Sequence, residues 1–262
     1  MRVPALALAA ALVVPGSGSV HAGGHPTLGA PMCFGSAATI VGTGASETIN
    51  GTPGPDVIVG GDGNDTINGL GGDDRICDPS GSNNVNLLRG GPGDDRLLGS
   101  ASLHGGAGND VLVVAGTVGS TVLVDGGTGN DTLRAPVLKA LFTPGPGRDR
   151  VSGNSVPNDE VSYRRSTRGV VVDLATGVAT GQGRDRITNV DWVTGSRYPD
   201  VLRGDGASNG LSGLRGEDIL TGRGAQDFLI GGPGADTMNG GSGQDYCDGG
   251  VSDRRISCEH HS

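Results

Sequence analysis

Aromatic rings, lysine, glutamate and long apolar runs are all scarce in this 262-residue chain. Aromatic residues make up 3% and the whole hydrophobic set 34%, too little apolar volume for an ordinary domain built around one large core. Beyond an apolar stretch near the start, no run approaches the roughly 20 residues that a membrane-spanning helix needs. No membrane span is therefore expected. Basic residues number 19 against 28 acidic ones, for a net charge of −9, which argues against nucleic acid as a partner. Glutamate occurs 4 times and aspartate 24. A merely solvated acidic surface would use Glu at least as freely, whereas a short carboxylate close to the backbone suits tight turns and hard-cation coordination. The five His residues lie away from any Cys-x-x-Cys pair, so no zinc site is expected.

What the chain has in abundance is glycine, 52 residues. Collagen would place Gly at every third position with much more Pro, and simple disorder would not carry recurring Ile, Leu and Val. The glycines instead follow a nine-residue frame. Gly60–Asn68 reads GGDGNDTIN, and the frame returns as GGPGDDRLL from Gly90, GGAGNDVLV from Gly105, GGTGNDTLR from Gly126 and GGPGADTMN from Gly231. Repeats start without interruption at 42, 51, 60 and 69, and again at 195, 204, 213, 222, 231, 240 and 249. The eighth position holds Ile49, Ile58, Ile67 and Ile76 in the first run, then Leu202, Leu211, Leu220, Leu229, Met238, Cys247 and Ile256 in the second. Both runs degrade at their outer ends, as the capping repeats of a solenoid do.

These nonapeptides, G-G-x-G-x-D-x-U-x with U a large aliphatic, resemble the repeats-in-toxin, or hemolysin-type, calcium-binding proteins. The resemblance covers roughly residues 39 to 257. It implies an all-β fold, a right-handed parallel β-roll or β-helix solenoid built from nonapeptide calcium-binding repeats, with several Ca2+ ions held between its turns. The residue chemistry agrees. Gly at positions one, two and four permits the positive φ angles of a tight turn. Asp at position six adds a carboxylate, and calcium accepts six to eight oxygens from carboxylates and backbone carbonyls alike. Positions seven to nine then have room for one short strand with one inward aliphatic. Two such units make an 18-residue coil, so loops 18 residues apart stack, with Asp56 above Asp74, Asp200 above Asp218 and Asp236, Asp227 above Asp245, and Asp65 and Asn209 on the opposite edges. The candidate metal ligands are Asp56, Asp65, Asp74, Asp95, Asp110, Asp131, Asp200, Asn209, Asp218, Asp227, Asp236 and Asp245. One aliphatic per nine ordered residues returns far less than the ordering costs, so the roll is expected to fold on binding calcium.

Residues 1–22 have the pattern of a secretory signal peptide, with Arg2, an apolar stretch from Val3 to Val14 and a Val20-His21-Ala22 ending. A secreted, extracellular protein is therefore expected, leaving by the general secretory route. Residues 23–38 would form an N-terminal cap segment, 39–134 the first repeat block, 135–194 a degenerate connecting segment that continues the solenoid, 195–257 the second block and 258–262 a tail. The segment Val170, Val171, Val172 and Leu174 reads as a longer strand. Cys33, Cys77, Cys247 and Cys258 allow three pairings. Their order suggests Cys33 with Cys77 and Cys247 with Cys258, yet the first pair would be about 12 Å apart on a regular roll, so residues 23–38 would have to lie back along it. Arginine outnumbers lysine 18 to 1, a hint of a GC-rich bacterial source.

Several short matches dissolve into the repeat. Gly206–Gly210 fits G-x-S-x-G, and Arg203-Gly204-Asp205 is an RGD tripeptide, but both sit where the nonapeptide puts Gly and Asp anyway. Trp192, Tyr163, Tyr198 and Tyr246 read as local packing more than a sugar platform, and His260 and His261 as a tail. Large enzymes of the resembled family carry a separate catalytic domain ahead of the repeats, and only the short segment 23–38 precedes the first repeat block after the expected cleavage point. The expectation is thus a non-enzymatic, exported calcium-binding protein. The alternatives are a cell-surface or matrix adhesin assembled in calcium and, less favoured, an enzyme using Asp173, Asp185 or Asp191 of the connecting segment.

Overall fold

The computed structural model describes residues 29–78, 86–100, 102–116, 121–154 and 158–259. Residues 1–22, expected to be a signal peptide, part of the expected cap segment 23–38 and the terminal histidines lie outside them. Strands are two to seven residues long in the roll, because each nonapeptide spends its first six residues on a turn and has three left to extend. Strands alternate between two facing sheets. One has 11 strands running from Thr48–Asn50 to Tyr246–Asp248, and the other has 14 from Ile40–Val41 to Arg254–Ile256. Successive strands in each sheet pair in parallel across one coil, as Thr48, Ile49 and Asn50 do with Thr66, Ile67 and Asn68. Among the described residues there is no helix, and none long and apolar enough to cross a membrane. The fold is a parallel β-solenoid of about 11 turns.

The interior is a double file of single aliphatic side chains. Ile49, Ile58, Ile67, Ile76, Leu88, Leu97, Leu103, Leu112 and Leu133 in the first half, and Leu202, Leu211, Leu220, Leu229, Met238 and Cys247 in the second, are at most 1% exposed. The eighth position is therefore the core position.

Two features depart from a uniform 18-residue coil. Stacked loops are 21 residues apart from Asp74 to Asp95, 15 from Asp95 to Asp110 and 21 from Asp110 to Asp131. In the connecting segment the 11-stranded sheet continues without a break from Glu160–Ser162 to Trp192–Thr194. The other sheet is interrupted there by Val171–Asp173 and Val178–Thr180, which pair antiparallel with each other and with Arg184–Thr188. The expected longer strand is only three residues, Val171–Asp173, because the chain reverses at once to make this meander.

Both disulfides form, Cys33–Cys77 with Cα atoms 5.6 Å apart and Cys247–Cys258 with 5.8 Å. The 12 Å objection to the first assumes that Cys33 occupies a coil. It lies instead in a small antiparallel hairpin, Met32–Cys33 with Ser36–Ala37, that folds back against strands Val57–Val59 and Arg75–Asp78. Closing loops of 44 and 11 residues contributes about 4 and 3 kcal/mol respectively in the chain-entropy account. The two bonds staple the two ends of the roll, where coils have a neighbour on one side only.

Candidate metal sites

Each coil presents two loops, which form two edges of the roll. On the major edge the sixth-position carboxylates stand in register. Asp56 N–H donates to Asp74 Oδ1 at 2.8 Å, and the same bond joins Asp74 to Asp95, Asp95 to Asp110, Asp110 to Asp131 and Asp131 to Asp149, each at 2.8 Å. It resumes from Asp200 to Asp218 and Asp218 to Asp236 at 2.8 and 2.9 Å. On the minor edge Asp65 accepts from Glu47 N–H, and Asn209 donates to Asp227, which donates to Asp245. The stacking expected for Asp56, Asp74, Asp200, Asp218, Asp236, Asp227 and Asp245, and the opposite placement of Asp65 and Asn209, is what the coils produce. Asp95, Asp110 and Asp131 join the major edge.

In every carboxylate that accepts such a bond, one oxygen is thus committed to holding coils together. The fate of the second oxygen divides the loops into two kinds. In one kind a backbone N–H from position two of the same loop reaches it: Thr52 to Asp56 at 2.6 Å, Asn154 to Asp159 at 2.8 Å and Ser196 to Asp200 at 2.5 Å, with Asp205 donating to Asn209 Oδ1 at 2.7 Å. In the other kind position two has turned its peptide over into the left-handed region. Gly61, Leu70, Gly91, Gly106, Gly127, Gly145, Leu214, Arg223, Gly232 and Gly241 all have φ between 77° and 125°. In those loops Oδ2 of Asp65, Asp74, Asp95, Asp110, Asp131, Asp149, Asp218, Asp227, Asp236 and Asp245 is buried and has no hydrogen-bond partner. A buried carboxylate oxygen without a partner costs free energy that an ordinary fold avoids. Leu70, Leu214 and Arg223 also hold a strained φ at the same repeat position, and such strain persists where the surroundings impose it, typically at ligand sites.

A divalent cation would supply the missing partner, and the residues fit one. Among the described residues no three His, Cys, Asp or Glu side chains converge on one point, so an ion between two loops would draw carboxylate oxygens from two of them and the rest from backbone carbonyls. The carbonyls of positions two and four are turned to the next coil: a Cβ placed on Gly127 would lie 1.9 Å from the Gly106 oxygen, and one on Gly129 1.8 Å from the Gly108 oxygen. An oxygen-only set of this kind selects a hard cation such as calcium.

The electrostatics point the same way. Burial raises Asp149 to about 8, Asp74 and Asp110 to about 7, and Asp65, Asp95, Asp131, Asp218 and Asp227 to about 6. The backbone hydrogen bond to each carboxylate opposes the rise, and the neighbouring carboxylates add to it. Without a cation these groups keep their protons to a higher pH than exposed aspartates do.

The three acids of the connecting segment do not come together. Asp173 is paired with Arg223 at 2.7 Å, which holds its carboxyl below the usual range; Asp191 accepts from Asn158 N–H; and Asp185 accepts the Tyr163 hydroxyl at 2.9 Å. Of the four rings expected to pack locally, Tyr163 is buried at 1% exposure and Tyr198 is exposed. Trp192 shares the outer face of the 11-stranded sheet with Phe228, and Phe228 stacks on Tyr246 at 4.6 Å. Sequence reasoning missed Asp149, Asp159 and the loop-terminal Glu259, which accepts from Asp245 N–H. The signal for Asp149 was present, since Gly145, Gly147, Asp149 and Val151 keep the frame and only Pro144 breaks it.

The family described as RTX calcium-binding nonapeptide repeat (4 copies) matches the chain at residues 41–76, 80–112, 123–135, 188–220 and 221–254, more than half of its length. No curated protein matches the chain.

Proposed function

Because the chain belongs to the family of RTX calcium-binding nonapeptide repeats, we propose that it is an exported calcium-binding protein whose loops take up several ions and whose roll folds as they bind. The observation that carries this reading is the row of buried, unpartnered Oδ2 atoms at Asp74, Asp95, Asp110 and Asp131 on the major edge, with Asp218 and Asp236 beyond and Asp65, Asp227 and Asp245 on the minor edge. These residues would hold the metal together with loop carbonyls. Bound calcium supplies the positive charge that lets stacked carboxylates ionise side by side, and so converts a repulsive file into a cohesive one. Asp56, Asp200 and Asn209 act differently in this reading. Their loops are already closed by Thr52, Ser196 and Asp205, and each starts a file and anchors the next coil. Export follows from the signal-like residues 1–22, and two disulfides suit an oxidising compartment. Extracellular calcium modules bind at about 10⁻⁴ to 10⁻³ M, a range in which the fold would be stable outside a cell and absent inside it.

Replacing Asp110 by asparagine tests the assignment. Asn keeps the acceptor that Asp95 N–H uses, yet removes the charge between Asp95 and Asp131. The variant is expected to bind at least one ion fewer by equilibrium dialysis and to shift the calcium midpoint at least tenfold, about 1.4 kcal/mol. An unchanged ion count and midpoint would remove the major edge from the calcium sites.

A further inference from the structure

Beside the antiparallel meander, the outer face of the 14-stranded sheet carries a groove of about 680 Å3. Its floor is made by the strands Thr132–Arg134, Arg150–Ser152 and Arg184–Thr188, and the meander's turn at Thr176 and Gly177 lines it as well. Strand register sets the chemistry of the floor. Thr132, Arg150 and Arg186 lie directly across from one another in one row, and Arg134, Ser152 and Thr188 in the next. Like charges directly opposite on neighbouring strands are destabilising, yet Arg150 faces Arg186 here.

The arginines that serve the fold are visibly engaged. In the same row, Arg75 donates to Ser36 Oγ at 3.0 Å and the Arg96 guanidinium lies 4.6 Å from the centre of the Phe34 ring, both against the N-terminal hairpin. Arg165 and Arg223 pair with Asp125 and Asp173. Arg134, Arg150 and Arg186 are exposed, and among the described residues none of the three has an ion-pair partner. Three unneutralised arginines around one groove, in a chain of net charge −9, mark it for an anion.

Guanidinium forks bind oxyanions, often bidentately. Neighbouring strands are about 4.8 Å apart, so Arg150 and Arg186 stand close enough to grip one anionic group, while Arg134, diagonal to Arg150, reaches a second. The hydroxyls of Thr132, Ser152 and Thr188 alternate with them and suit the hydroxyls of a sugar. Carboxylates and phosphates are themselves calcium ligands and would be occupied in a medium rich enough in calcium to fold the roll, whereas sulfate esters hold calcium weakly and keep their charge. We propose that this groove binds a short stretch of sulfated glycan. The site is separate from the metal-binding loops, and only the choice of sulfate rests on the calcium reading above.

A fluorescein-labelled, heparin-derived hexasaccharide, titrated with the full chain in saturating calcium and followed by fluorescence anisotropy, tests the proposal. Arg150→Gln combined with Arg186→Gln is expected to bind it at least about tenfold more weakly than the unmodified chain. Arg197→Gln combined with Arg215→Gln, which removes the same charge from exposed major-edge loops, is expected to stay within about twofold. Both should keep the parent's far-UV circular dichroism in calcium. No binding by the unmodified chain, equal weakening in the two double variants, or equal binding of a desulfated hexasaccharide would overturn the site. Displacement of the probe by trigalacturonate or inorganic triphosphate as effective as by unlabelled hexasaccharide would overturn the choice of sulfate. An unmodified chain that binds the probe but, by equilibrium dialysis, no calcium would overturn the calcium reading and leave the groove standing.

Discussion

Substituting valine for Gly127 is expected to lower the melting temperature by roughly 6–12 °C in saturating calcium, from a loss of at least about 3 kcal/mol. Two costs combine. Gly127 sits at φ 98°, a conformation that a β-branched residue reaches only under strain, and its added Cβ would lie 1.9 Å from the carbonyl oxygen of Gly106 in the coil below. The clash is with backbone, so no rotamer change relieves it. Because each coil of a solenoid is held chiefly by its neighbours, the damage divides the roll at this point. Gly206→Ala is the comparison, since nothing lies within 4 Å of its added Cβ and its φ is not left-handed. That variant should stay within about 0.5 kcal/mol of the parent. Thermal unfolding followed by circular dichroism reads both, and a Gly127→Val protein that melts with the parent would show that loops do not stack this closely.

The second large effect is on pH. The open aspartates have folded-state values raised from 3.8 to about 6 for Asp95, 7 for Asp110 and 8 for Asp149. A carboxyl that is raised on folding binds its proton more tightly in the folded chain, so in the absence of metal it stabilises the fold at low pH. That contribution is fully present below about pH 4 and is lost as pH rises through 6 to 8. Chelator-treated protein is therefore expected to hold more β structure at pH 4.5 than at pH 8, the reverse of ordinary acid denaturation. Calcium must displace those protons, so its apparent affinity should rise with pH, up to tenfold per unit for each proton released between pH 6 and 8. Calcium midpoints measured at the two pH values check this. Equal midpoints, or a chelated protein equally folded at pH 4.5 and 8, would contradict it.

Most of the architecture was legible in the sequence because one short period fixes three things at once: the turn glycines, the carboxylate and the core aliphatic. Ile49 to Ile76 and Leu202 to Leu229 are buried where the eighth position puts them. The period fails where one edge changes and the other does not. Between Asp74 and Asp131 the major-edge loops keep their consensus, while the intervening minor-edge segments lengthen or shorten, giving coils of 21 and 15 residues. The hairpin that brings Cys33 to Cys77 lies before the repeats and has no periodic signal at all. The division between open and closed loops was latent in position two. The closed loops carry Thr52, Asn154, Ser196 and Asp205, residues that favour local polar turns, and the open ones carry Gly, Leu or Arg. What the sequence could not display is the backbone flip itself, which decides whether a carboxylate oxygen meets an N–H or is left for a metal.

The most direct test of a metal-folded roll is far-UV circular dichroism of the protein at pH 8, titrated with calcium from a chelator-treated start and with magnesium in parallel. The account predicts a disordered spectrum that converts to β with calcium and not with magnesium, whose preference for rigid octahedral geometry and retained water suits these carbonyl-rich loops poorly. A β spectrum that is the same in chelator and in millimolar calcium would mean that the aliphatic files and the two disulfides hold the roll unaided, and would contradict it.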